Sequence, residues 1–177
     1  MLNLFQHPIS RVYTLYTAKL VGSRNKFGMT VFVRYKVIIT TNMAAYSGTP
    51  LAKKLGIKPG FNISLINAPD YYFELFTDLP SDLTFADKDK NFKRDFIHFF
   101  TQLKDEYLAN LPLLKQQLKP DGMIWVSWPK KASKVITDIT EDIIRNYALE
   151  VGLVDIKVCA VDEVWSGLKL VIPVKDR

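Results

Sequence analysis

Short apolar runs alternate with segments of helical spacing, and this alternation constrains the fold more than any other feature of the chain. Residues 61–69 (FNISLINAP), 95–101 (DFIHFFT) and 123–129 (MIWVSWP) are too short for helices, rich in branched and aromatic side chains, and bounded by turn-forming residues. Residues 82–87 (DLTFAD) read as a further short strand. Between them lie a helix over 49–56, with Thr49 as N-cap, Pro50 in the first turn and Gly56 as stop, and a helix of two to three turns in DYYFELFTDL that places Tyr72, Phe73 and Phe76 on one side. The longest helical pattern runs over 103–119, with Leu103, Tyr107, Leu111, Leu114 and Leu118 in step and Pro112 expected to bend it. Another covers 137–153, capped by Thr140 and closed by Gly152, with Ile143, Ile144, Tyr147 and Ala148 facing the core. Two last strands, 154–164 and 167–174, are joined through Trp165-Ser166-Gly167 as an antiparallel hairpin, with Gly167 expected at a positive φ. Strands separated by helices require parallel pairing with right-handed crossovers. The expectation is a three-layer, Rossmann-like α/β sheet, mostly parallel, of about six strands ending in that hairpin.

Charge divides the chain differently. The net charge is +6, but residues 1–42 hold six basic residues and no acid, which leaves 18 basic and 18 acidic residues in the remainder. The basic pI is therefore a property of the N-terminal stretch, and a phosphate-tracking face on the domain is not expected. We divide the chain into a basic extension, 1–42, and a single α/β domain, 43–177. The extension reads as a poorly packed or upstream-translated segment, with Met43 opening the balanced region; its alternating residues, 29–41, are the part expected to order. It has neither the apolar core nor the cleavage site of a secretory signal. One cysteine, Cys159, excludes an intrachain disulfide, two histidines give no metal-ligand spacing, and no apolar run is long enough to span a membrane. A cytoplasmic setting is expected.

Two resemblances add to this reading. LAKKLGIKPGFNISLINAP, LPLLKQQLKPDGMIWVSW and the terminal hairpin resemble the corresponding parts of class I methyltransferases, which implies a strand order of 2-1-3-4-6-5 with one strand of the usual seven missing. YSGTPLAKKLGIKPG, SWPKKAS, TDITED and VGLVDIKVCAVDEVWSGLKLV resemble a bacterial family catalogued as domain of unknown function 3052, over residues 45–177. The second resemblance implies no activity. The first implies a glycine-rich turn after the first strand, for the adenosylmethionine carboxylate, and an acidic residue after the second, for the ribose. No glycine occurs between Phe61 and Pro120, and Pro69 removes an N–H donor from the turn. Asp87 stands in the ribose position, but beside KDK it reads more readily as a solvated loop acid.

In open parallel sheets ligands bind at the carboxyl ends of the strands, where strand order reverses. That rim comprises Asn67, Asp87, Thr101, Ser127, Trp128, Lys130 and Lys131. Lys130, Lys131 and Lys134, with Ser127, Ser133 and Thr137, suit an anionic ligand, against the plain alternative of a solvated lysine loop over Trp128. Asp162 and Trp165 at the hairpin form a second candidate, with Trp165 placed to cover a pocket mouth. No Ser/His/Asp or Cys/His arrangement is apparent, and His98 reads as a satisfied core histidine. The function expected is a non-catalytic binding or regulatory domain for a small anionic molecule or a protein partner, without cofactor. The alternative is an S-adenosylmethionine-dependent methyltransferase with an atypical cofactor turn.

Overall fold

The computed structural model describes residues 48–85 and 93–177, together with the backbone of residues 14–15 and 37–38. The chain divides into two units, Met1–Ser47 and Gly48–Arg177. In the first, Thr14–Leu15 and Val37–Ile38 pair antiparallel, so two residues of the expected 29–41 segment are in a ladder and its remainder lies outside the described residues.

The second unit is built on one six-stranded sheet. Its strands are β1 (Asn62–Ile66), β2 (Thr84–Phe85), β3 (Arg94–Phe100), β4 (Leu118–Pro129), β5 (Val154–Ala160) and β6 (Trp165–Val171). Their order is 2-1-3-4-6-5, as expected. The β1–β2, β1–β3 and β3–β4 pairs are parallel; β4–β6 and β5–β6 are antiparallel. Helices α2 (Lys104–Gln117) and α3 (Glu141–Glu150) cover one face. There Tyr107, Leu111, Ile144 and Ala148 pack on Ile97, Phe99, Ile124 and Val126. Helix α1 (Leu51–Leu55) covers the other face, with Leu51, Ala52 and Leu55 against Ile63, Phe96, Phe100 and Trp125. β3 and β4 are buried on both sides, which explains why they read as continuous apolar runs. The Trp125 indole donates to the Leu55 carbonyl at 2.8 Å and ties the end of α1 to the sheet. No helix among the described residues is long and apolar enough to cross a membrane.

Thr140 caps α3 as expected, accepting from the Ile143 N–H, and Gly152 follows the helix at φ 78°. Four expectations are corrected. Thr49 does not cap α1: the N-cap position is Pro50, and the free Ala52 and Lys53 N–H groups donate instead to the Asp78 carboxylate, each at 3.1 Å. The helix expected in 70–79 is a single 3₁₀ turn, Tyr72–Leu75. Two tertiary demands shorten it, since Tyr72 is drawn into the core and the chain must extend from Phe76 to bring Asp78 to α1. Arg94, although charged, is 1% exposed and begins β3 opposite Leu118. The hairpin turns at 161–164 rather than at Trp165-Ser166-Gly167, because Asp162 Oδ1 accepts from the Val164 and Trp165 N–H groups at 2.7 and 2.6 Å. Gly167 lies inside β6 and has no positive φ; an added Cβ would stand 3.1 Å from Trp125 and 3.2 Å from Ser127 Oγ, so it is glycine to admit those side chains.

Candidate functional site

The carboxyl rim is built from the chain that leaves β1 and β3 and from the β5–β6 hairpin. Asn67, the residue after β1, holds φ 51°, a left-handed conformation that Asn tolerates better than most residues. Its side-chain amide donates to the Phe100 carbonyl at 3.2 Å and to the Glu106 carboxylate at 2.7 Å. The other Glu106 oxygen accepts from Thr101 Oγ1, and the Thr101 N–H donates to the Ser127 carbonyl at 3.0 Å. Asn67 and Thr101 therefore meet, and what joins them is Glu106, which sequence reading passed over because an acid in the first turn of a helix is ordinary.

A second cluster occupies the hairpin end of the rim. Trp165 is 8% exposed and packs edge-on to Phe100, with ring centroids 5.1 Å apart. Tyr71, also unforeseen, lies against it: the indole N–H points to the phenol oxygen and the phenol to the Asp162 carboxylate. Burial first, then the Asp162 charge, raises the Tyr71 pKa. The segment after β1 thus crosses the end of β3 to reach the hairpin. Lys130 belongs to the same cluster, its N–H donating to the Val164 carbonyl at 2.8 Å and its Nζ to the Asp162 carbonyl at 2.5 Å. Lys131 is exposed and opens the 3₁₀ turn Lys131–Ser133. The hydroxyls expected beside these lysines serve the loops, Ser133 donating to the Lys130 carbonyl and Thr137 to the Gln102 carbonyl, both at 2.7 Å. Trp128 packs on the α2–α3 face, away from the rim cluster at Trp165. Asp87 lies outside the described residues.

Ser127 does not face the rim either. Its hydroxyl points into the α1 face of the sheet, 2.8 Å from His98 Nε2, while His98 Nδ1 lies 3.0 Å from the Tyr72 hydroxyl. Strand register, which brings together residues 29 apart, was needed to see this contact. All three side chains are buried. Burial lowers the His98 pKa from 6.5 to about 3 and raises that of Tyr72. The Tyr72 hydroxyl faces Nδ1, where a Ser/His/Asp arrangement would place a carboxylate to orient the imidazole. The Tyr72–His98–Ser127 chain is a satisfied polar bridge across β3 and β4, as the core reading of His98 requires.

A sheet of order 2-1-3-4-6-5 with an antiparallel hairpin edge is a methyltransferase-like Rossmann fold, and solved structures bear this out. One is an S-adenosylmethionine-dependent methyltransferase from Aquifex aeolicus, with TM-score 0.50 and 14% identity over 68% of this chain and 87% of that one. Another is magnesium protoporphyrin IX methyltransferase from Synechocystis PCC 6803 with bound S-adenosylhomocysteine, with TM-score 0.50 and 12% identity over 67% of this chain and 76% of that one. At these identities the similarity defines the fold. No family model and no curated protein sequence matches the chain.

Proposed function

We propose that this domain uses the methyltransferase-like sheet as a scaffold for a non-catalytic role, binding a small anionic molecule or a protein partner at the part of the rim formed by Lys131 and the β5–β6 hairpin. The observation that supports this reading is the Glu106 carboxylate 2.7 Å from the Asn67 amide, at the turn where the fold's cofactor would present a carboxylate of its own. Two carboxylates at one turn repel. The turn also has Pro69, without an N–H, where a glycine-rich loop would offer donors. A second reading, an adenosylmethionine-dependent methyltransferase with an atypical turn, is favoured by the fold shared with the adenosylhomocysteine-bound neighbour. Calorimetric titration of the full chain with S-adenosylmethionine and S-adenosylhomocysteine decides between them. The expected result is no binding in the micromolar range by the wild type; micromolar binding of either compound would overturn the non-catalytic reading.

A further inference from the structure

The face of the sheet that carries α1 holds a second concentration of charge, below the rim and on different elements. Lys157 on β5 and Lys169 on β6 stand directly opposite each other. Like charges so placed repel, because facing side chains on adjacent strands are close neighbours. Lys157 Nζ reaches over the end of α1 to the Lys54 carbonyl at 3.1 Å. Lys169 Nζ lies 3.8 Å from where a Cβ on Gly56 would stand, so the missing side chain there leaves space beside the ammonium. Lys169 is half-buried, and Lys58 enters the same field: burial, then Lys157, then Lys58, lowers the Lys169 pKa. Among the described residues none of Lys58, Lys157 and Lys169 forms an ion pair; the salt bridges belong to Lys119 and Arg145.

A half-buried lysine set against another lysine, with a third nearby, is unfavourable for folding, and an anion is the group that relieves it. Lysines set opposite each other on two strands, beside the end of α1, match a ligand with several linked charges better than a single carboxylate. Lysine ammonium groups hold phosphate as point charges without requiring a fixed fork geometry. We propose that Lys58, Lys157 and Lys169, around Gly56 at the end of α1, form a binding site for an oligophosphate chain.

The test is calorimetric titration of the full chain at low salt with sodium tripolyphosphate and, separately, with ATP. Saturable binding of tripolyphosphate is expected, weakened about tenfold, or about 1.4 kcal/mol, in Lys169→Met and several-fold in Lys58→Met. Lys58 is exposed, so that variant keeps a readout should Lys169→Met fold poorly. Lys104→Met, at the start of α2 on the opposite face of the sheet, is expected to bind as the wild type does. Equal affinity for both compounds would assign the site to a free phosphate chain, and tighter ATP binding to a nucleotide; either supports the proposal. No binding of either compound, an unchanged affinity in both Lys169→Met and Lys58→Met, or the same heat from sodium chloride at matched ionic strength would overturn it. The adenosylhomocysteine titration of the rim is independent of all these results.

Discussion

Replacing His98 with Gln tests whether the buried polar bridge behaves as its geometry requires. The folded protein holds His98 neutral down to about pH 3, whereas in the unfolded chain the same imidazole takes a proton below its ordinary 6.5. Proton uptake by the unfolded state alone favours unfolding, so stability is at its full value above about pH 6.5 and falls as the pH drops toward 3. Each pH unit inside that window corresponds to about 1.4 kcal/mol, so by about pH 4.5 His98 removes about 3 kcal/mol of stability. Gln carries no such proton. At about pH 7.5 the variant is expected to be less stable than the wild type by about 1–3 kcal/mol, since its amide cannot keep both contacts and strands the Tyr72 or the Ser127 hydroxyl in the core. As the pH falls that deficit closes, and near pH 4.5 the two proteins become comparable or change places. Urea unfolding followed by tryptophan fluorescence at several pH values measures both curves, and His7, present in both proteins, cancels from the difference. A difference that stays constant within about 0.5 kcal/mol from pH 7.5 to pH 4.5 would refute the reasoning, because His98 would then take its proton as easily folded as unfolded.

Asp78→Ala removes the acceptor of the Ala52 and Lys53 N–H groups and is expected to lower stability by about 1–2 kcal/mol, read as a shift in the urea midpoint at unchanged slope. Gly122→Ala is expected to lower stability by about 1–3 kcal/mol in the same assay, because its Cβ would stand 2.8 Å from the Arg94 carbonyl, a backbone atom that cannot swing aside. In a double-mutant cycle, Tyr72→Phe and Ser127→Ala are expected to couple by more than about 0.5 kcal/mol through their shared imidazole; strict additivity would show that the bridge is not one unit.

The alternation of strands and helices was legible because it depends on local period and chain order, whereas the strand order was what the resemblance to class I methyltransferases implied. What escaped was set by contacts distant in sequence. DYYFELFTDL has a helical pattern, yet Tyr72 answers to His98 and Asp78 to α1, each about 25 residues away. Gly167 looked like a turn residue and is a packing residue, a distinction visible only once Trp125 and Ser127 are placed beside it. At the rim, Asn67, Thr101, Lys130, Asp162 and Trp165 could be named from strand ends. Glu106 and Tyr71, which link them, could not, since nothing local marks an acid in a first helical turn or a tyrosine in a loop as reaching across a sheet.

The buried bridge also bears on how the central strands choose their alignment. β3 and β4 are apolar on both faces, so sliding one past the other by two residues would keep nearly every apolar side chain buried and would meet little resistance from the hydrophobic effect. Such a slip would separate His98 from Ser127 and strand polar atoms in the core at about 1–3 kcal/mol each. His98 and Ser127 thus act as an alignment pin, and their loss is expected to leave a sheet that still forms but no longer has a single pairing.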